Sequence, residues 1–426
     1  MTRARPANPD PHTLRSPWRS DFPLLARRDA SERGDPGDDG GLAYLDSGAS
    51  TQKPAVVIDA VADFYRTGYA NIHRGAYALS ADATNAYEAA RAKLAKLIHA
   101  DGPDEIVFLR GTTEAINLVA QAWGRTFIKP GQQILISAME HHANIVPWQM
   151  LCEQVGARLA VIPMDDAGVL DLDACERLLK RQQTALVAVA HISNALGTIN
   201  PVADIARLAR AHEARVLIDG AQAIAHTPID VQALDADFYA FSGHKMYGPT
   251  GIGGLYAKRD ILEAMPPWQG GGDMIRSVSF EGTTYADPPA RFEAGTPDIA
   301  GAVGLGAAVD YLQGAGLERI GEHEHALSQY MHQRLAEVPR LRLIGNAPDK
   351  AGIASFVLDG VHAHDVATVL DFHGVAVRAG HHCAEPVLRR FGLPATVRAS
   401  LGIYNDADDI DALIAGLSKA AEMFAP

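Results

Sequence analysis

The chain is poor in cysteine, in aromatic residues and in positive charge, and each shortage excludes something. Its three cysteines (Cys152, Cys175 and Cys383) are odd in number and lack the paired spacing of a zinc site. Neither a disulfide scaffold nor a metal is therefore expected, and a reduced, cytoplasmic setting is. Lysine and arginine number 38 against 51 aspartates and glutamates, for a net charge of −13. That balance argues against partners such as nucleic acid or an anionic membrane surface. No apolar run approaches a transmembrane span. The opening MTRARPANPDPH has no apolar stretch of the secretory kind, so export is not expected. What is present is ample core material: 47% of the 426 residues are hydrophobic and 21% charged, the profile of a globular protein with a large interior.

Three stretches follow from the pattern. Residues 1–41 read as an N-terminal extension, with 1–20 poorly ordered and 30–41 (ASERGDPGDDGG) a polar, turn-rich insertion. Residues 42–300 read as a large domain. After a short strand at 42–46 and helices at 55–67 and 83–98, apolar strands at 106–109, 134–137, 158–162, 185–191, 216–218 and 238–241 alternate with helices. This alternation predicts an α/β fold with a mostly parallel sheet covered on both faces. Residues 301–426 read as a smaller α+β domain. Its helices are expected at 301–312, 317–338, 365–373 and 407–423, the last capped by Asp406, and its strands at 341–344, 353–358 and 375–378.

In such a sheet the residues just past the strand ends converge on one crevice. Thr113, His141, Asn194, Asp219 and Lys245 all fall there. Lys245 closes the segment Ser242-Gly243-His244-Lys245, ahead of a loop rich in glycine at 248–254. A lysine desolvated at a strand end suits a fixed Schiff base, because only the neutral amine condenses with an aldehyde. The stretch also reads as a surface lysine before an ordinary Gly/Pro loop. Asp219 would keep the ring nitrogen of pyridoxal 5'-phosphate protonated, or else serve as a plain N-cap. Gln222 would donate to the phenolic oxygen, and His141 would stack on the ring. Thr112 and Thr113 end a glycine turn ahead of a helix expected at 114–123, and with Ser242 and His244 they would hold the phosphate. The His141-His142 pair also fits a metal, though no third ligand accompanies it at sensible spacing. Arg378-Ala379-Gly380-His381-His382-Cys383 places a cysteine beside imidazoles and an arginine, where nearby positive charge favours the thiolate. Arg398 suits a bidentate grip on a substrate carboxylate, or an ordinary ion pair.

The segments YLDSGASTQKP, NIHRG, RGTTEAINLVA, MEHHANIVPWQ, HISNALGTINP, LIDGAQA, FSGHKMYGPTGIGG, FEAGTPDIAG and RAGHHCAEP together resemble a Suf-type cysteine desulfurase. That is the second group of the class V aminotransferases, among fold-type I pyridoxal phosphate enzymes. The resemblance runs from about Asp21 to the C-terminus. It implies a homodimer that turns L-cysteine into L-alanine, with Lys245 as the Schiff-base residue and Cys383 as the nucleophile that carries a persulfide. It implies Arg398 as carboxylate anchor, Asn194 and His73 lining the site, and Thr296 reaching the neighbouring subunit's phosphate. It also implies a sulfur acceptor of the SufE or SufU type that feeds iron–sulfur cluster assembly.

The chain departs from the family pattern at Tyr77-Ala78, at Gly48, around Asp406 and in the length of the 30–41 insertion, without losing a catalytic group. A selenocysteine lyase shares the framework. A class V aminotransferase or a kynureninase-like hydrolase would need no Cys383. A catalytically silent scaffold would show no absorbance from cofactor bound to Lys245.

Overall fold

Alternation within buried strands builds the centre of the molecule. In the segment Thr184–Ala190, Val187 and Val189 join one apolar core while Leu186 and Ala188 join another on the opposite face. Only a sheet covered on both sides accepts such a run, and burying each aliphatic side chain contributes roughly 2 kcal/mol. The computed structural model describes residues 14–26 and 41–424. Among them the strands are, in chain order, Ala43–Tyr44 (β1), Ile106–Leu109 (β2), Gln133–Ser137 (β3), Arg158–Ile162 (β4), Thr184–Ala190 (β5), Arg215–Asp219 (β6), Phe238–Ser242 (β7) and Gly253–Ala257 (β8). They continue with Ile275–Val278 (β9), Thr283–Tyr285 (β10), Leu341–Ile344 (β11), Ile353–Leu358 (β12), Val375–Ala376 (β13), Arg378–Gly380 (β14) and Thr396–Ser400 (β15).

The large sheet has the order β2-β8-β7-β6-β5-β3-β4. Strands β3 to β7 pair in parallel, and β8 runs antiparallel between β7 and β2. The α/β reading therefore holds, with one addition. Gly253 and Gly254, expected in the loop after Lys245, start β8 instead. They admit the close neighbour strand, since a Cβ on Gly253 would lie 2.5 Å from the Phe241 carbonyl. Beyond the large sheet, β11-β12-β15-β14 form an antiparallel sheet that shares a third apolar core with the helices Ala363–Phe372 and Ala407–Met423. Asp406 and Asp409 form a capping box at the start of the second of these helices.

Several boundaries move. The helix expected at 83–98 spans Ala78–Leu97, and the one expected at 114–123 starts at Thr112. The single strand expected at 375–378 is two: β13 pairs with β1, while β14 pairs with β15. The poor order expected of residues 1–20 does not hold from Leu14 on. Leu14, Trp18, Phe22 and Leu25 are all buried, and Phe22 packs edge-on against Tyr404 with ring centres 4.7 Å apart. Composition missed this because four anchors at helix-like spacing are few beside the prolines and arginines around them. Residues 30–40 of the expected insertion lie outside the described residues.

The helix Ile299–Ala315, capped by Asp298, packs against the helix Ala78–Leu97 of the first core. Leu14, Ala43 and Leu45 instead belong to the third core, with the C-terminal helices. No helix among the described residues is long and apolar enough to cross a membrane.

Candidate active site

The parallel strands deliver their chemistry at one edge. Asp219 is the last residue of β6, and Lys245 ends a single turn after β7. His141 follows β3, and Asn194 follows β5. With Thr112, Thr113, Gln222, Ser242 and His244 from the large sheet, and Arg378, Cys383 and Arg398 from the second, they line one cavity of about 240 Å³.

Lys245 makes no hydrogen bond or ion pair among the described residues. Burial lowers its pKa to about 8, against the pull of Asp219, so about a tenth of the amine is neutral at pH 7. Asp219 is buried, accepts one hydrogen bond from Ala221 N at 3.0 Å, and has no cation within ion-pair distance among the described residues. Burial raises its pKa. Gly220 stays side-chain-free because a Cβ there would strike the Tyr239 ring at 2.0 Å. His141 Nδ1 accepts from Ala143 N at 3.0 Å, which leaves the ring proton on Nε2. Burial, helped by Lys245, holds its pKa near 4, so the ring is neutral at neutral pH.

At the opposite end Ser242 Oγ accepts from Thr112 N at 2.9 Å and pairs with Thr112 Oγ1 at 2.9 Å. Gly111, at φ 147°, makes room for that hydroxyl pair, since a Cβ would come within 2.9 Å of Ser242 Oγ. The Thr113 side chain is exposed beside them. His244, desolvated next to Lys245, is neutral with a pKa near 4.

The second sheet closes the cavity with two arginines and the cysteine. Arg398 is 2% exposed; it donates to the Asn194 carbonyl at 2.9 Å and to Asp46 at 3.2 Å, while its Nε has no partner. Arg378 grips both oxygens of Asp46 at 3.2 and 3.1 Å. Cys383 is exposed, and both it and His382 sit at φ 54°, a left-handed conformation that side chains rarely adopt. Large-domain donors hold them there. His142 N donates to the Cys383 carbonyl at 2.7 Å, and Asn194 Nδ2 donates to the His382 carbonyl at 2.6 Å. The His142 ring also accepts from Glu385 N at 3.1 Å.

Several of these groups were not singled out in the sequence. Asp46 meets its arginine partners 332 and 352 residues away, and no local pattern announces that. Glu140 is fully enclosed between Ser137, Asn144 and Ala190 N, with its pKa raised to about 7 by burial. His142 was weighed only as a metal ligand; among the described residues no group of three or more His, Cys, Asp or Glu side chains could hold a metal. Two expected residues lie outside the cavity. His73 is exposed and bonded to Glu88 at 3.3 Å, and Thr296 lines a separate cavity with Phe108, Arg110 and Glu114.

The donor set fits pyridoxal phosphate. A buried carboxylate without a cation awaits a protonated ring nitrogen, an unbonded desolvated amine awaits an aldehyde, and the hydroxyl pair at the helix start suits a phosphate. Gln222 Nε2 is engaged by the Gly48 carbonyl at 2.6 Å, yet its side chain still lines the cavity. The buried Arg398 also keeps its Nε–H unpaired, a donor left over for an anionic ligand.

Known proteins of this shape are informative. The aminotransferase class-V family profile matches residues 43–413. A cysteine desulfurase of Dickeya dadantii is 56% identical over 402 residues, covering 94% of this chain and 95% of that protein. The cysteine desulfurase CsdA of Escherichia coli superposes with a TM-score of 0.87 at 39% identity, over 98% of this chain and 99% of its own. The apo cysteine desulfurase of Thermococcus onnurineus gives a TM-score of 0.89 at 39% identity, over 96% and 99%.

Proposed function

The chain belongs to the aminotransferase class-V family and is a pyridoxal phosphate-dependent cysteine desulfurase, and on that premise we propose that Lys245 holds the cofactor and Cys383 takes the sulfur. L-Cysteine is its substrate, and a sulfur acceptor receives the product. The carrying observation is that the unpaired Lys245 amine, the cation-less Asp219 and the exposed Cys383 line one cavity although they come from two sheets.

When bound, the cofactor supplies an electron sink next to the substrate α-carbon. Lys245 would hold its aldehyde, Asp219 its ring nitrogen, Gln222 its phenolic oxygen and His141 its ring face. Thr112, Thr113, Ser242 and His244 would hold the phosphate. Arg398, steadied by the Asn194 carbonyl, binds the substrate carboxylate. Lys245, with a pKa near 8, is suited to take the α-proton and return it close to neutral pH. The Cys383 thiolate attacks the substrate sulfur. A sulfur–sulfur bond forms, the carbon–sulfur bond breaks, and the carbon keeps the electron pair, takes a proton and leaves as alanine. Cys152 and Cys175 are poor candidates for that step, because burial pushes both thiols up to about 11.

Hand-off follows from the loop. The tether runs three residues from Gly380 at the end of β14 and reaches only about 10 Å even when extended. A partner thiol must therefore come to the cavity mouth, which favours a dedicated acceptor of the SufE or SufU type and a cytoplasmic role in iron–sulfur assembly. The exposed position of Thr296, outside this subunit's cavity, supports a homodimer in which it reaches the other subunit's phosphate.

The test is alanine production from L-cysteine, with a persulfide assay, across an acceptor titration. The parent should be slow without acceptor and accumulate persulfide on Cys383. Cys383→Ser should still bind substrate and release no alanine. Persulfide trapped on Cys152 or Cys175, or fast turnover of the parent without acceptor, would count against this reading.

A further inference from the structure

Behind the lysine turn, the segment Ser50-Thr51-Gln52-Lys53 closes on one carbonyl. The His244 carbonyl accepts from Thr51 N at 3.0 Å, Lys53 Nζ at 3.0 Å, Thr51 Oγ1 at 3.1 Å and Ser50 Oγ at 3.2 Å. A carbonyl oxygen has two lone pairs, so four donors exceed what its satisfaction requires. This carbonyl belongs to the peptide that leads into Lys245. On the other side of the lysine, Tyr247 N donates to Thr51 Oγ1 at 3.0 Å, and Tyr247 itself is held at φ 65°. The same short segment therefore grips the turn on both flanks of Lys245.

Lys53 is the unusual member of the clamp. Its ammonium contacts only neutral oxygens: the Thr51 carbonyl at 2.6 Å, Thr51 Oγ1 at 3.3 Å and the His244 carbonyl. Among the described residues no carboxylate lies within ion-pair distance of it. A partly buried ammonium without a carboxylate is costly unless dipoles are aimed at it, and here they belong to the lysine turn. Burial also lowers its pKa to about 8.

We propose that Lys53 is a positioning residue, whose ammonium, shared between the Thr51 and His244 carbonyls, fixes the peptide ahead of Lys245 and aims the Lys245 amine into the cavity. The inference rests on the reading of Lys245 as the residue that holds the cofactor. Lys53→Met keeps much of the stem and removes the charge, whereas Lys53→Arg keeps the charge.

The measurement is the rate at which apoenzyme mixed with pyridoxal phosphate gains a yellow colour that desalting does not remove, alongside the melting temperature of each apoprotein. Lys53→Met should load about tenfold more slowly, as a misplacement of a few tenths of an ångström would cause, with the melting temperature within a few degrees of the parent. Lys53→Arg should recover most of the rate. If Lys53→Met does not fold, Lys53→Gln takes its place in the same comparison with Lys53→Arg. Parental loading in the uncharged variant, or an arginine variant no better than the uncharged one, overturns the proposal. Lys245→Ala run in parallel separates the two readings. A Lys245→Ala protein that still gains that colour removes the assignment of Lys245, whereas a colourless one beside an unaffected Lys53→Met removes only the clamp.

Discussion

The two walls of the cavity are built in opposite ways. On the cofactor wall, Asp219, Ser242 and Lys245 sit at or just past the ends of adjacent parallel strands, and ladder hydrogen bonds inside one sheet fix their positions. On the sulfur wall, His382 and Cys383 sit in strained left-handed backbone, held by His142 and Asn194 reaching over from the large sheet. The first wall owes its geometry to local regularity, the second to a few contacts between residues far apart in sequence. Strain of this kind persists only where the surroundings over-determine it. Substitutions on the first wall should therefore remove a chemical function and leave geometry alone, while substitutions in the clasp should loosen geometry and leave the chemistry possible.

The largest effect sharpens the first half of that comparison. Asp219→Ala should retain bound cofactor yet lose turnover by about a hundredfold or more, because the ring nitrogen loses its carboxylate. Absorbance in the visible range measures the first and alanine release the second. A variant that desulfurates at the parental rate would move the ring-nitrogen role to another residue.

A smaller effect tests the clasp. Asn194→Ala removes the donor to the His382 carbonyl, so the cysteine loop should become more mobile and alanine formation should fall by about tenfold. Protection of the loop amides against hydrogen exchange should drop with it. Unchanged protection of residues 381–384 would mean that the loop holds its strained shape without the large domain, and the contrast between the walls would break.

The smallest effect is on stability against pH. His382 on the sulfur wall is held neutral down to about pH 3, and His141 on the cofactor wall to about pH 4, both chiefly by burial. An unfolded histidine takes its proton near pH 6.5, so the unfolded chain binds more protons than the fold between that value and the lowered one. Stability is accordingly lost as pH falls through that window. His382→Gln should flatten this acid-side loss, measured by chemical denaturation at pH 7 and pH 5. An unchanged slope would mean that His382 titrates normally and that its loop is far looser than the cofactor wall.

Much of this was legible in advance, for identifiable reasons. The strand β2 falls where its apolar run lies, because a fully buried strand is recognisable from its own residues. Lys245, Asp219 and Asn194 were placed correctly in one crevice, because strand ends in a parallel sheet converge whatever the details. The losses also have causes. Gly253 and Gly254 looked like loop residues, and only the neighbouring Phe241 shows why a strand there needs them side-chain-free. β13 and β14 looked like one strand, because a pairing partner cannot be read from the strand itself. Asp46 drew no notice, since a lone acid at the end of a short strand is ordinary until two arginines arrive beside it.

The sequence by itself determined the covalent chemistry and the period of each element: which side chains can hold an aldehyde, accept sulfur or cross a buried sheet is written residue by residue. Only the tertiary structure decided how those groups are charged and how tightly they are held. The lowered pKa of Lys245, the neutral His141 and the strained Cys383 come from burial and from partners far away in the chain. Desolvation and long-range hydrogen bonds do not exist until the chain has closed around them.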